Sequence, residues 1–158
     1  MTAGILFETL VVGNSIFEVL VDRSDAPRSV SVELRQDGER VRGWEEPGWR
    51  QIGLGAAGES FYWWSARRLA VVGADRQIRF ETQTNEDILY AFSTPHGWLI
   101  VCETSASLVP EGGDSSTRSV EFEEVVKSCR FDGFDLAVEL TNGTHYSVAV
   151  GSDGLLAG

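Results

Sequence analysis

The two histidines are the first candidates for chemistry, and their positions match no catalytic motif. His96 and His145 fall in or beside turns between apolar runs. Nucleophilic catalysis needs an activated serine or cysteine, and the sequence has neither a GxSxG elbow nor a catalytic cysteine signature. We therefore predict no catalytic residues and no enzymatic activity. A hydrolase with carboxylates in a sheet cleft is the less favoured alternative.

Adjacent acidic residues recur along the chain, at 45–46, 86–87 and 123–124. A general acid–base pair needs two carboxyl groups in different environments, and closeness in sequence does not provide that. The segments DGFD and GSDG are similar to calcium loops, but the regular ligand spacing of an EF-hand loop is missing. The sequence therefore predicts no metal site and no cofactor.

Two further motifs have ordinary interpretations. Residues 53–60, GLGAAGES, match the GxGxxG pattern. No clear strand precedes them and no helix follows, so we expect no phosphate site. Cys102 and Cys129 lack CxxC spacing, and we predict reduced, buried thiols without zinc.

The acidic charge of the chain is concentrated in its second half. The formal net charge is −11. Residues 1–79 carry 11 acidic and 10 basic side chains, whereas residues 80–158 carry 13 and 3. Such a field repels nucleic-acid phosphate and attracts cationic surfaces. We predict a basic protein partner and no nucleic acid. The carboxylates predicted to contact it are Glu81, Glu86, Asp87, Glu121, Glu123, Glu124, Asp132 and Asp135.

Aromatic and arginine side chains cluster in the first half, around the segment FYWW. In a strand, Phe61 and Trp63 point to one face, while Tyr62 and Trp64 point to the other. One pair must belong to a core, and the other is covered either internally or by a partner. Trp, Tyr and Arg dominate binding hot spots. The residues predicted to supply such contacts are Trp44, Trp49, Tyr62, Trp64, Arg67 and Arg68.

Period-two alternation interrupted by turn residues predicts that these side chains lie on antiparallel β-hairpins. A Gly13-Asn14 loop sets Leu10 opposite Phe17 and Leu6 opposite Val21, with a type II′ turn. Because both faces of this hairpin are apolar, we expect it to be central.

Two more hairpins have defined registers. An Asp37-Gly38 loop sets Leu34 opposite Val41 and Glu33 opposite Arg42. A three-residue loop at 141–143 sets Val138 opposite Tyr146, Leu136 opposite Val148 and Phe134 opposite Val150, which makes one face wholly apolar. The segment 119–131 fits a strand or a short helix, and we favour a strand.

The predicted fold class is all-β, with antiparallel hairpins forming a sandwich, a barrel or a small propeller-like array of about 9 to 11 strands. We expect a single domain over residues 1–158, with a flexible loop at 111–119. The N-terminal apolar run is broken by Glu8 and Gly13 and lacks a basic leader region. We therefore predict a cytoplasmic protein without membrane contact.

These observations favour a non-enzymatic, protein-binding role. The most concrete version is a cytosolic inhibitor of the bacterial immunity type, which occludes a cationic partner such as a toxin domain through its acidic surface. The alternative is a ligand-binding or structural β module of a larger assembly. The sequence does not indicate the oligomeric state.

Overall fold

The computed structural model describes residues 5–22, 30–46, 52–111, 117–152 and 154–157. Every regular element in these ranges is a β-strand. They contain no helix long and apolar enough to cross a membrane. The all-β prediction is thereby confirmed.

The chain divides into two compact units, Met1–Gln83 and Thr84–Gly158. A single domain over 1–158 stays a prediction. The strands of the first unit are β1 (Ile5–Val12), β2 (Ser15–Asp22), β3 (Val30–Gln36), β4 (Glu39–Glu46), β5 (Ile52–Ala57), β6 (Ser60–Ser65), β7 (Arg68–Val72) and β8 (Ile78–Gln83). Those of the second are β9 (Ile88–Thr94), β10 (Gly97–Cys102), β11 (Ser105–Val109), β12 (Arg118–Glu121), β13 (Val126–Phe131), β14 (Asp135–Leu140), β15 (His145–Gly151) and β16 (Gly154–Ala157).

Each unit holds two four-stranded antiparallel sheets, and every sheet follows the order of the sequence. The sheets are β1–β4, β5–β8, β9–β12 and β13–β16. Four successive four-stranded meanders have the rhythm of propeller blades, one of the three predicted architectures. The sixteen described strands exceed the predicted number because several are only four to six residues long.

The first hairpin has the predicted loop and a partly wrong register. Gly13 has a φ of 60°, as the first position of a type II′ turn requires, and Leu10 lies opposite Phe17. A bulge between Leu6 and Glu8 then shifts the pairing, so Val21 faces Ile5 instead of Leu6. The hairpin is not central either, because β1 is an edge strand.

The second hairpin also has the predicted loop and a shifted register, whereas the third has the predicted register. Asp37 and Gly38 form the loop with φ values of 52° and 83°. A bulge after Leu34 then places that residue opposite Arg42 instead of Val41, and Glu33 opposite Gly43. In the third hairpin, Val138 faces Tyr146 and Leu136 faces Val148, as predicted. The amide of Val150 also bonds to the carbonyl of Phe134 at 2.9 Å.

The segment 119–131 is split between two strands. The four residues between β12 and β13 are not in a strand, so the single predicted strand was wrong in extent. Of the predicted loop 111–119, residues 112–116 lie outside the described residues, and residues 118 and 119 belong to β12.

The core of the first unit lies between its two sheets and contains one half of the aromatic segment. The rings of Phe17 and Phe61 stack with centroids 4.5 Å apart. Those of Trp44 and Trp63 stack at 5.1 Å. All four side chains are buried, together with valines of β2 and β3. The prediction that one aromatic pair belongs to a core is confirmed for Phe61 and Trp63.

The core of the second unit is aliphatic and likewise lies between two sheets. Leu99, Val101 and Leu108 from β10 and β11 are buried with Leu136 and Val148 from β14 and β15. This packing fixes the strands of the unit and therefore fixes where the connections between them begin and end.

Candidate functional site

Five of the eight predicted partner-binding carboxylates lie at one end of the second unit. Glu86 and Asp87 come directly before β9, whose first residue, Ile88, pairs with the last residue of β10. The turn after β10 leads to Ser105, which pairs with Glu121 at the end of β12. The connection to β13 begins at this same end. We define the acidic end by its six carboxylates: Glu86, Asp87, Glu103, Glu121, Glu123 and Glu124.

Glu103 belongs to this group but was missed by the sequence analysis. It is exposed in the turn between β10 and β11, and its carbonyl accepts a 2.7 Å hydrogen bond from the amide of Val126. The missed signal was the hairpin itself. The segment CETS, residues 102–105, is interpreted as the end of one strand unless the short strand β11 is recognised after it.

Glu86 is a structural member of the acidic end. Its half-buried carboxylate accepts a hydrogen bond from the Ser105 hydroxyl at 2.5 Å and another from the Thr104 amide at 3.1 Å. The Thr104 hydroxyl donates a further bond. These donors tie the segment before β9 to the turn between β10 and β11. Asp87, also half-buried, makes interactions within the chain.

The remaining carboxylates of the acidic end are exposed. Glu121 and Glu123 flank the buried Phe122 in the sequence, and Glu124 follows. Glu123 accepts a hydrogen bond from the hydroxyl of Tyr146, which raises the pKa of that phenol. Lys127, the next basic residue in the sequence, pairs with Glu139 at 3.5 Å.

Asp132 and Asp135 lie at the β13–β14 turn, at the opposite end of β13 from Glu123 and Glu124. The six residues of β13 separate them from the acidic end by about 20 Å. Oδ1 of Asp132 accepts the amides of Asp135 at 2.7 Å and Phe134 at 2.8 Å. These two hydrogen bonds lower the pKa of Asp132. Asp132 and Asp135 are therefore separate from the acidic end.

Glu81 and Arg68, both predicted to contact a partner, contact each other. Glu81 lies in the first unit, where Arg42 approaches it at 3.1 Å and Arg68 at 3.5 Å. Their charges are compensated within the unit. Arg67 is exposed in the turn between β6 and β7 and makes interactions within the chain.

The aromatic residues predicted to face a partner are mostly enclosed. Trp44 and Trp64 are each only 9% exposed, and their contact with a partner stays a prediction. Trp49 lies outside the described residues. Tyr62 is half-buried, and burial raises the pKa of its hydroxyl. Its ring stacks on that of Trp64 with centroids 6.2 Å apart.

Two glycines of the apparent GxGxxG motif make room for this second aromatic pair. Gly53 and Gly55 pair across β5 and β6 with Trp64 and Tyr62. A Cβ on Gly53 would lie 1.9 Å from Cζ2 of Trp64, and one on Gly55 would lie 2.5 Å from the Tyr62 hydroxyl. The two rings therefore lie across β5, and these glycines serve packing.

A cleft of about 640 Å³ lies between two hairpin turns of the first unit. Ser60, Asp75 and Arg79 contribute to its lining. Arg79 donates a 2.6 Å hydrogen bond to the Ser60 hydroxyl. Asp75 accepts one from the Gln77 amide at 3.1 Å. Ser60, Asp75 and Arg79 thus each have a partner among the other lining residues.

The described residues contain no group of three or more histidine, cysteine, aspartate or glutamate side chains arranged to hold a metal ion. Cys102 is buried, Cys129 is half-buried, and neither forms a disulfide. Burial raises the pKa of Cys102 to about 11 and that of Cys129 to about 12. Both thiols are therefore poor nucleophiles near neutral pH.

Comparison with known proteins identifies the fold of the chain and no sequence family. No protein-family profile matches the chain. No curated protein matches its sequence. The chain is similar to the solved structure of Kluyveromyces lactis Hsv2, with 11% identity, a TM-score of 0.56, and coverage of 96% of this chain and 47% of that one. It is also similar to Kluyveromyces marxianus Hsv2, with 7% identity, a TM-score of 0.57, and coverage of 98% and 51%.

These similarities define the class of the protein by fold alone. Hsv2 is a β-propeller, and propellers are built from four-stranded antiparallel blades, like the four sheets of this chain. The chain is therefore an all-β protein made of propeller-type blades. It spans about half the length of the two Hsv2 structures.

Proposed function

We propose that this chain is a non-enzymatic protein-binding module whose acidic end holds a basic protein partner. The observation that carries the proposal is the meeting of six carboxylates in or beside the connections at one end of the second unit. Glu103, Glu121 and Glu124 are exposed there and free to approach cationic side chains.

The distribution of charge supports the same surface. The first unit carries 12 acidic and 10 basic residues, whereas the second carries 12 and 3. Arginines compensate several carboxylates of the first unit, as with Arg76 beside Asp37 and Glu39. The second unit therefore carries most of the negative field, which attracts a basic partner, speeds association and weakens with salt.

An inhibitor of the immunity type is the finer version of this proposal. Such a protein would act in the cytoplasm and occlude the cationic site of a toxin domain. Exposed carboxylates in turns suit this role, because they can pair with lysine and arginine side chains around a partner's active site. The same negative field disfavours nucleic acid as the partner.

A decalysine peptide labelled with fluorescein tests the acidic end directly. The test variant is the triple substitution Glu103→Gln, Glu121→Gln and Glu124→Gln. We expect it to bind the peptide several-fold more weakly than wild type at 50 mM salt, with the difference shrinking as salt rises. Fluorescence anisotropy supplies the dissociation constants.

A matched control separates location from net charge. The triple substitution Glu8→Gln, Glu45→Gln and Glu59→Gln removes the same number of exposed charges from the first unit. We expect it to bind decalysine nearly as well as wild type. Equal losses in the two triple variants would show that net charge alone drives binding, and the proposal would fail.

A structural role in a larger assembly is the second candidate. It is favoured by the half-length coverage of the Hsv2 propellers and by an apolar pair on the edge hairpin. Val11 and Ile16 lie opposite each other and are 65% and 46% exposed. Light scattering would give a molar mass above that of one chain, which Val11→Ser with Ile16→Ser would lower. A monomer at high concentration would contradict this role.

A further inference from the structure

The first sheet of the chain has one buried face and one exposed face. Phe17 and Val19 of β2 point into the core of the first unit. Ile16 and Leu20 point to the opposite face, because side chains alternate along a strand. Ile16 lies opposite Val11, and these two side chains are 46% and 65% exposed, while Leu20 is half-buried. The outer face of the first sheet, defined by Val11, Ile16 and Leu20, therefore carries large apolar side chains.

The last sheet also has an exposed face, and its apolar side chains are mostly small. Leu136 and Val138 of β14 are buried in the core of the second unit, so Ala137 between them points outward and is exposed. Ala149 is exposed on the same side and lies opposite Leu156, which is 65% exposed. The outer face of the last sheet is defined by Ala137, Ala149 and Leu156.

The charges on these two outer faces are balanced, although the chain as a whole has a formal net charge of −11. The two rows of the first sheet that follow the Val11–Ile16 pair contain two acidic and two basic side chains, namely Glu18, Glu33, Arg35 and Arg40. Glu33 lies 3.2 Å from Arg35 and 3.9 Å from Arg40.

The outer face of the last sheet has the same balance. Arg130 lies opposite Ala137, Asp135 lies opposite Ala149, and Lys127 pairs with Glu139 at 3.5 Å. Two strongly acidic chains repel each other. Copies of this chain therefore approach each other most favourably through faces whose own charges are compensated.

We propose that the outer face of the first sheet packs against the outer face of the last sheet in a second copy of this chain. Large side chains on one face and small ones on the other let two sheets approach closely. Each copy supplies both faces, so two identical contacts would join a pair of copies.

This inference rests on the structural role given above as the second candidate function, and it names the partner for that role. The chain covers 47% and 51% of the two Hsv2 propellers. Propeller blades surround a central channel, so each blade has a neighbour on both faces. A second copy would supply the neighbours that the outer faces of the first and last sheets require.

Two variants that place a charge on one outer face each test the proposal. Ile16→Lys changes the first face, and Leu156→Asp changes the last. We expect wild type to have the mass of two chains by sedimentation equilibrium. Each variant should weaken self-association by at least about tenfold, because an uncompensated charge would be buried in both contacts of the pair.

An equimolar mixture of the two variants shows which faces meet. In a mixed pair, one contact joins two unchanged faces, and the other joins two changed faces whose introduced charges are opposite. The mixture should therefore associate more tightly than either variant alone. If the first face packed against its own copy instead, Leu156→Asp would associate like wild type and mixing would give no gain, which would overturn the inference.

Phe134→Lys and Phe134→Asp are the matched controls for the introduced charges. Phe134 is 76% exposed in the turn between β13 and β14, and alternation directs its side chain away from the face that carries Asp135 and Leu156. Both controls should associate like wild type. Because all the substituted side chains are exposed, the urea midpoints of the four variants should match that of wild type, which shows that they are folded.

The failure of this inference is distinguishable from the failure of the functions proposed above. A larger assembly that persists in both Ile16→Lys and Leu156→Asp would overturn the inference and leave the assembly role standing. A wild type that stays monomeric at high concentration would contradict both. None of the four variants alters a carboxylate of the acidic end, so the decalysine experiment tests the basic partner separately.

Discussion

Replacing Gly53 with alanine tests the close contact between β5 and the second aromatic pair. The added Cβ would lie 1.9 Å from Cζ2 of Trp64, 2.2 Å from Cε2 and 2.3 Å from Cη2. All three distances are far below van der Waals contact. Because Trp64 is only 9% exposed, its ring has little free space into which it can move.

The expected cost follows from overpacking. Forcing a ring or a strand to shift in a packed region costs about 1–3 kcal/mol, and we expect about 2 kcal/mol for Gly53→Ala. Gly151 is the matched control, because it also lies in a strand and a Cβ there would meet nothing within 4 Å. Gly151→Ala should leave stability unchanged or raise it by up to about 0.5–1 kcal/mol.

A double-mutant cycle identifies the ring as the cause. Trp64→Phe removes Cζ2 and Cη2, and it breaks no hydrogen bond because the buried indole N–H has no partner among the described residues. In this background, Gly53→Ala should cost less than about 1 kcal/mol, which gives a coupling energy of at least about 1 kcal/mol. Urea unfolding followed by far-UV circular dichroism supplies the free energies.

Two results would refute the reasoning. If Gly53→Ala unfolds at the same urea concentration as wild type, the indole ring does not lie across β5. If the cost is the same with Trp64 and with phenylalanine, the strain comes from another neighbour. In either case the glycines of the segment GLGAAGES would have a role other than making room for the Trp64 ring.

Three further predictions concern buried or bonded polar groups. Glu86→Gln should lower the free energy of unfolding in urea by about 1–3 kcal/mol, because the donors of Thr104 and Ser105 are left poorly paired. Glu124→Gln, at an exposed residue, should change it by less than about 0.5 kcal/mol. The Asp132 carboxyl should titrate by NMR below its ordinary pKa. Since that pKa is lowered in the folded state, the ionised Asp132 stabilises the fold above the unfolded pKa of about 4, and this contribution is lost as the pH falls. An equally steep acid transition in Asp132→Asn would contradict this. Cys102 and Cys129 should react slowly with a thiol reagent at pH 8 and quickly in urea, since burial raises both pKa values; fast native reaction would contradict this.

Turn positions were predictable because they depend on local backbone rules. Gly13 and Gly143 have the positive φ that their loops require, and both loops were placed correctly. Registers beyond the turns were less predictable. The bulges after Leu6 and Leu34 shift the pairing by one residue, and the apolar pattern carries no clear sign of them.

The two faces of FYWW were predictable from strand alternation, but their environments were not. Which sheet covers Phe61 and Trp63 depends on contacts between strands distant in sequence. The position of Tyr62 and Trp64 across β5 did have a signal in the sequence. Gly53 and Gly55 stand at alternate positions, one strand before the aromatic residues, where a pleated sheet leaves room for large rings opposite.

The acidic end could be predicted only in part. The charge distribution correctly indicated that the acidic residues concentrate in the second half of the chain. That Glu86 and Glu121 lie at the same end depends on the number of strands between them. A four-residue strand such as β12 is too short for a clear alternation pattern. Asp132 was grouped with Glu123 and Glu124, from which the six residues of β13 separate it.

Each sheet is built from one continuous stretch of chain, and this has a consequence for how the protein is made. The pairings of a sheet are complete once about 30 to 40 consecutive residues are available, so each loop closure is short and its entropic cost is small. On the ribosome, each sheet can form in the order of synthesis without waiting for strands encoded later. In a gene, a whole sheet can be duplicated or lost as one segment while the hydrogen bonds of the other sheets stay intact.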